Sequence, residues 1–487
     1  MGVEGRRVTG PIETEVLTPD LCIIGAGAAG LSVAATAVWL LGGSVVLVNK
    51  EPMGEVSLKS GCVPSQVLIA AAKRMHEARA ARAFSSESTD DDPAVDLPRL
   101  RQHAMDVLAT LAPMNATARY TAMGVEVIRA EARFLDASTV LAGKKTIKAR
   151  RFVLATGSRP VVPDLPGLEN VACLTDESLF DLADRPDHLV VVGGSASGAE
   201  LAQAYRRLGV PVTLIEAGAR ILRHEDPEQA AVIERALRRE GVCLKTSAAI
   251  ERIEPQPTGG LVVHLDGGST IAGSHLLAAT GRRTRTEGLG LEMAGIETDW
   301  SGILVNRGFR TTNPLVYAIG SCASGPVAHS VQYEAGLVIR NALFRMPGWL
   351  GRTPVPRVVR TDPELAAIGL TETEARAKYR SIRILRWPLS AIDRAQIEGA
   401  TAGHVKAILT RRGRVLGCSI TAPHAGELIM PWALAMVRQL PVSDLARLVY
   451  PYPTFSEASK GAAMEFRKRS APNPWLKRLI GLVRRWG

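Results

Sequence analysis

The chain of 487 residues reads as an α/β protein, and three observations predict it. Two segments, 21–48 and 188–216, each run from a short apolar strand through a glycine-rich turn into an apolar helix and a second apolar strand. That order is the pattern of a βαβ unit in a buried parallel sheet. The length fits about three domains rather than one. A hydrophobic fraction of 46% beside 22% charged residues supplies sizeable cores. The same composition excludes wholesale disorder, collagen-like repeats and a small disulfide scaffold.

Taken in order, residues 1–20 contain no apolar core of the kind a signal peptide needs, which argues against secretion. Residues 21–48 are almost continuously apolar, yet Gly25, Gly27, Gly30, Gly42 and Gly43 punctuate them at turn positions, so a membrane span is the poorer reading. The better one is a strand at 21–24, a tight turn, a helix at 29–41 and a strand at 44–48. In the turn Gly25 permits the bend, Gly27 lets the backbone approach a pyrophosphate, and Gly30 lets the helix pack on the strand. The phosphate would sit at the helix N-terminus. A carboxylate usually follows the second strand to accept ribose hydroxyls, but here Asn49 and Lys50 precede Glu51, so ribose binding should be weaker or differently satisfied.

The second unit has a strand at 189–192, a turn with Gly193, Ser195 and Gly198, a helix at 199–208 and a strand at 212–215 leading to Glu216. Two such units imply two dinucleotides and hence two Rossmann-like domains. Ser195 stands where the middle glycine is expected, with its Cβ where the pyrophosphate must come close. Glu216 favours NADH, because a carboxylate binds the ribose 2′-OH and repels a 2′-phosphate; Arg220 nearby keeps NADPH open.

The net charge of +11 favours anionic partners without choosing among them. Six cysteines, Cys22, Cys62, Cys173, Cys243, Cys322 and Cys418, lie far apart with no Cys-x-x-Cys pair. Neither a zinc site nor a disulfide framework is written here, and a reducing cytoplasm fits best. The nine histidines include no His-x-x-x-His pair, so no metal site is expected. Aromatics at 5%, with no basic motif interleaving them, argue against nucleic acid.

The stretch from Met53 through Ser57 and Cys62 to Gln66 resembles the redox segment of the pyridine nucleotide-disulfide oxidoreductases, the family of dihydrolipoamide dehydrogenase, glutathione reductase and mercuric reductase. Thr156-Gly157 and Thr280-Gly281, each after an alanine, resemble its strand-end turns, and Tyr317 to Gly320 resembles its second flavin motif. Thr361 to Glu364, Gly369 to Thr371, and Tyr450 to Glu457 resemble its C-terminal dimerisation domain. The resemblance implies an FAD domain at 1–160 that resumes at 290–350, an NAD(P) domain at 161–289 and an α+β dimerisation domain at 351–470. A basic amphipathic tail at 471–487 follows. Residues 163–167 and 347–356, rich in Pro and Gly, are the implied hinges. It also implies a homodimer in which the C-terminal segment of one subunit completes the active site of the other.

The family's chemistry needs a dithiol, and this chain departs from it. Flavin reduced by nicotinamide passes two electrons to a disulfide whose cysteines flank four residues. Cys62 matches the second cysteine, but Ser57 stands at the first, and an alcohol can neither form the disulfide nor attack as a thiolate. The helix N-terminus after Pro64 should still lower the Cys62 pKa. Gln66 matches a lysine that pairs with a glutamate matching Glu200 beside the flavin, so a cation that would stabilise reduced, anionic flavin is missing. Ser321, followed by Cys322, stands where an aspartate binds the ribityl chain. Tyr452 occupies the place of the family's histidine base, as is similar in mercuric reductases, and Glu457 matches the glutamate that holds it. With an ordinary pKa of about 10, Tyr452 should act as a hydrogen-bond or proton donor rather than a base. His424 and the pair Asp393-Arg394 resemble structural stretches of the dimerisation domain and receive no catalytic role.

On a helix, Trp475, Leu476, Leu479, Ile480, Leu482, Val483 and Trp486 fall in one arc and Lys477, Arg478, Arg484 and Arg485 opposite it. Such a tail suits peripheral contact with an anionic membrane or docking on the protein's own surface or on its dimer partner. Two functions follow. The first is an FAD-dependent NAD(P)H oxidoreductase whose flavin, with or without help from the Cys62 thiolate, delivers electrons to a small-molecule acceptor such as a quinone, a metal ion or oxygen. The second is a catalytically silent relative that keeps the fold for binding or scaffolding.

Overall fold

The computed structural model describes residues 15–42, 44–51, 53, 62–84, 95–182, 184–257, 259–323, 331–344, 346, 354–468, 478 and 481–484. Ser57 and most of the tail at 475–486 lie outside the described residues, as does the side chain of Cys62, whose backbone opens the helix Cys62–Ala81. The fold is α/β and divides into two compact units.

The first unit comprises residues 1–64, 103–159 and 282–351. Its centre is a five-stranded parallel sheet in the order Val316–Ala318, Arg151–Leu154, Leu21–Ile24, Val45–Asn49 and Val125–Arg129. All four residues of Leu21–Ile24 are buried, as an interior parallel strand with both faces covered requires. The helices Ala28–Leu41 and Val331–Ala342 pack over one face through Val33, Ala34, Ala37, Ala335, Val338 and Ile339. Over the other lies a four-stranded sheet, Glu15–Leu17, Lys145–Ile147, Thr139–Ala142 and Ala132–Asp136. Phe134 of that sheet meets Phe152 of the central one edge to face, centroids 5.4 Å apart, a geometry that adds about 1 kcal/mol beyond area burial.

The second unit comprises residues 65–102, 160–281 and 352–487 and holds two large sheets. One is parallel, in the order Cys173–Leu174, His275–Ala278, Leu189–Val192, Val212–Glu216 and Cys243–Thr246, with a three-stranded antiparallel sheet, 250–273, packed beside it. The other is antiparallel, in the order Arg357–Val359, Glu364–Gly369, Val415–Ala422, His404–Thr410 and Ile382–Pro388. The helices Met430–Val437 and Glu457–Lys468 cover it, and Trp432, fully buried between them, donates its indole N–H to Ser459 Oγ at 3.0 Å. That bond satisfies the one polar atom such a large buried ring carries.

The parallel sheet meets the antiparallel one through ion pairs within this unit. Lys406, 2% exposed, reaches Asp226 and Glu228 at 2.7 Å each and Glu372 at 3.0 Å. Arg207 is clamped by Glu240 at 2.7 Å and Asp362 at 2.9 Å. Buried cations this thoroughly paired avoid the several kcal/mol that an unpaired buried charge carries. Among the described residues no helix is long and apolar enough to cross a membrane.

Candidate functional site

The first glycine turn joins Leu21–Ile24 to the helix Ala28–Leu41. Gly25 has φ +106°, and a Cβ there would lie 2.3 Å from the Ala155 carbonyl oxygen; one on Gly30 would lie 1.8 Å from the Gly25 oxygen. Both positions are closed to any side chain. Gly27, in ordinary extended backbone with φ −75°, has nothing within 4 Å of an added Cβ. The space in front of it is therefore open. The helix has no side-chain cap and no acidic residue in its first turn, so its leading N–H groups remain available to an anion. These residues fit a dinucleotide pyrophosphate.

Asn49, at the end of the second strand, braces this turn. Its Oδ1 accepts the Ala26 N–H at 3.0 Å and its Nδ2 donates to the Glu51 carbonyl at 2.6 Å. Lys50 points into an exposed ion pair with Glu131 at 2.5 Å.

The second turn repeats the design with different side chains. Gly193 has φ +107°, and a Cβ there would meet the Ala279 oxygen at 2.6 Å; one on Gly198 would meet the Gly193 oxygen at 2.0 Å. Ser195 has the same extended backbone as Gly27, φ −69°. Its hydroxyl accepts the Gly198 N–H at 3.2 Å and donates to the Ala279 carbonyl at 2.7 Å. This N-cap explains why the helix runs Ala196–Arg207 rather than starting at 199 as its apolar spacing predicts. Glu216 places Oε2 on the Gly194 N–H and Oε1 on the Gly218 N–H, both at 2.7 Å. Arg220 turns its guanidinium onto the carbonyls of Leu222 and Arg223 at 2.7 Å and of Glu225 at 3.0 Å.

The strand-end turns and the second flavin-like motif lie beside these loops within their own units. Thr156 Oγ1 donates to the Arg285 carbonyl at 2.7 Å, and Thr280 Oγ1 to the Val161 carbonyl at 2.9 Å; Gly157 and Gly281 follow with φ +77° and +132°. After the strand Val316–Ala318, Gly320 turns at φ +69°, and Ser321 brings its hydroxyl oxygen to 3.9 Å from where a Gly157 Cβ would stand. Glu334, only 1% exposed, accepts the Gly320 N–H at 3.1 Å and fixes this turn. Sequence reading missed it; the available signal was an acid in the first turn of the helix after the motif. Cys322 is buried, its thiol held up above its ordinary pKa by burial and directed to the Leu154 and Ile319 carbonyls.

In the second unit Glu200 follows Gly198 on the same helix. Its Oε1 accepts the Arg360 backbone N–H at 2.7 Å. Burial pushes its carboxyl up to about 7, against the lowering influence of that bond and of the Arg360 charge. Gln66, matched by resemblance to a lysine partner of Glu200, lies partly buried on the helix Cys62–Ala81 and brings no cation to it.

Tyr452 donates its hydroxyl to Asp393 Oδ2 at 2.7 Å, and Glu457 accepts the Thr454 N–H at 3.3 Å. The pair that resemblance implied, tyrosine with Glu457, is thus replaced by tyrosine with Asp393. The bond to Asp393 and its charge, with Glu457 adding to them, hold the Tyr452 phenol above its ordinary pKa. Among the described residues no group of three His, Cys, Asp or Glu side chains could hold a metal ion.

Comparison with known proteins matches this arrangement along nearly the whole chain. Residues 19–336 match the family model described as pyridine nucleotide-disulphide oxidoreductase, and residues 355–463 match the dimerisation domain of that family. A dihydrolipoyl dehydrogenase of Thermus scotoductus is 36% identical over 93% of this chain and 98% of its own length. A mercuric reductase of Streptomyces lividans is 35% identical over 92% and 96%. Among solved structures, LpdA from Mycobacterium tuberculosis superposes with TM-score 0.81 at 29% identity, covering 92% of this chain and 99% of its own. The HOCl-induced flavoprotein disulfide reductase RclA from Escherichia coli, as its Cu(II) complex, superposes with TM-score 0.80 at 27% identity, covering 91% and 98%.

Proposed function

The chain belongs to the pyridine nucleotide-disulphide oxidoreductases, and we propose that within them it is an NADH-dependent flavoenzyme that delivers electrons to an acceptor other than a disulfide of its own. The observation that carries this reading is Ser57: an oxygen stands where the family's first redox cysteine is expected, so Cys62 lacks that sulfur as its S–S partner. Bound FAD would supply the two-electron chemistry, taking a hydride from nicotinamide and passing electrons on.

This chain's own residues bind and orient. We assign FAD to 1–160 and 290–350, where Gly25, Gly27, Gly30, Asn49, Lys50, Thr156, Gly157, Gly320 and Ser321 gather around the first turn. We assign NADH to 161–289, through Gly193, Ser195, Gly198, Glu216 and Gly281. The preference for NADH rests on the carboxylate of Glu216 at the end of the second strand, where it would accept ribose hydroxyls, and on Arg220, whose guanidinium is engaged by four backbone carbonyls. Dimerisation falls to 351–470, and Tyr452 faces the electron acceptor across the homodimer.

The visible absorption spectrum of the purified full chain tests this. A bound flavin that bleaches on adding NADH, and that takes up two rather than four electrons per subunit in a dithionite titration, is the expected result. Uptake of four electrons would reveal a second redox couple and sink the reading. A colourless protein that stays colourless after incubation with FAD would instead favour the silent scaffold, for which Asn49, Gln66, Ser195 and Ser321 speak.

A further inference from the structure

We propose that Asp393 is a positioning residue for Tyr452, accepting the phenol's O–H as a hydrogen bond so that the oxygen lone pairs, not the O–H, face an approaching acceptor. The proposal rests on the reading of Tyr452 as the side chain that meets the electron acceptor, and it reverses the donor role that the sequence alone assigns to a tyrosine there.

The geometry is specific. A tyrosine hydroxyl has one proton and two lone pairs. The proton of Tyr452 is directed at a carboxylate oxygen 2.7 Å away, a charge-assisted bond of the stronger kind. Asp393 opens the short helix Asp393–Ile397, and its neighbour Arg394 pairs along that helix with Glu398 rather than with Asp393. The other charged group acting on the phenol is Glu457, at the start of Glu457–Lys468, also an acid and already accepting the Thr454 N–H. Both facing groups are therefore negative. They oppose ionisation of the phenol, and they leave it able to accept a hydrogen bond but not to give one. What fits in front of it is a hydrogen-bond donor or a cation, and an anionic acceptor would meet lone pairs backed by two carboxylates.

An exposed tyrosine could equally touch an aspartate without being governed by it, and titration of the phenol separates the two. The difference in phenolate ultraviolet absorbance between the intact chain and its Tyr452→Phe variant isolates Tyr452 as pH is raised. Its midpoint should lie above the ordinary value of about 10. Asp393→Asn keeps the shape and an acceptor oxygen but removes the charge, and should lower that midpoint by about one pH unit, the effect of one charge roughly 3 Å away in water. Superimposable titrations for the intact chain and Asp393→Asn would overturn the proposal, as would a Tyr452 midpoint at or below the ordinary value. The titration needs no flavin or nucleotide, so failure of the NADH reading would show in the visible spectrum and leave this result standing on its own.

Discussion

The two glycine turns are the same piece of backbone carrying different side chains. Gly25 and Gly193 share φ near +106° and the same collision, an added Cβ 2.3 or 2.6 Å from the oxygen of the alanine that ends the neighbouring strand. Gly30 and Gly198 share the next, 1.8 or 2.0 Å from the oxygen of the turn's own first glycine. At the middle position the turns part: Gly27 and Ser195 have matching extended backbone, and only one keeps hydrogen as its side chain. The glycines that the chain itself demands are present in both copies, and the one that only a ligand demands has changed. The residue after the second strand behaves alike, since Asn49 and Glu216 both brace the turn through the N–H after its first glycine but differ in charge. Bracing is a task of the fold, and under the proposed cofactor assignment the difference in charge would act on the ribose.

The largest effect should come where the two turns agree. Gly30→Ala or Gly198→Ala forces a methyl group into a backbone carbonyl that cannot move aside, and each should destabilise the protein by about 3 kcal/mol or more. Urea unfolding would check it, and a well-tolerated alanine at either position would break the equivalence. Next comes a charge found on one side only. Glu200 lies two residues beyond Gly198, where the first helix has Ser32 beyond Gly30. Its folded carboxyl sits at about 7, above the ordinary 4.5, so the folded state holds the proton more tightly than the unfolded chain. The stability tied to that proton is fully present below about pH 4.5 and is lost as pH rises through about 7. Glu200→Gln should therefore match the parent at pH 5 and exceed it at pH 8 by about 2–3 kcal/mol. Equal pH profiles for the two proteins would remove the asymmetry.

Those contrasts mark what could be read from the sequence and what could not. The strands Leu21–Ile24 and Leu189–Val192 and the glycine turns after them were legible, because continuous apolar runs and positive-φ glycines are local signals. The early start of the helix Ala196–Arg207 was not, because it depends on the Ser195 hydroxyl reaching Gly198, and apolar spacing carries no record of a cap. Glu200 was legible only as a candidate by resemblance, and its partner, the Arg360 N–H, lies 160 positions away just past the strand Arg357–Val359. Tyr452, on an irregular segment, and Asp393, at the start of a helix of only five residues, are 59 positions apart, and nothing periodic links them. Contacts made by tertiary structure between irregular segments leave no pattern in either segment alone.

Of smaller effect, reversing the charges after the second strands should move the two cofactors in opposite directions. Glu216→Gln should raise the NADH Kd about tenfold, through loss of an ionic hydrogen bond to ribose, and narrow any preference over NADPH. Asn49→Asp should slow FAD loss on dilution by a similar factor. Isothermal titration and flavin fluorescence read the two, and a change of the same sign in both would mean that the positions are not counterparts.

The smallest effect bears most directly on why the middle residues differ. Ser195 stabilises its own helix by capping Gly198 and bridges to Ala279, and under the proposed NADH assignment its Cβ would stand on the side a pyrophosphate approaches. Ser195→Gly should lower stability by about 1 kcal/mol, from the lost cap and the lost bond. The same change should tighten NADH a few-fold. Ser195→Ala separates the two consequences, because it discards the hydroxyl but keeps the Cβ: it should lose at least as much stability, alanine being the poorer N-cap, and gain no affinity. The converse change, Gly27→Ser, should add a cap to the first helix and loosen FAD. If Ser195→Ala and Ser195→Gly bind NADH equally, the Cβ does not crowd the phosphates, and the serine is there for the helix alone.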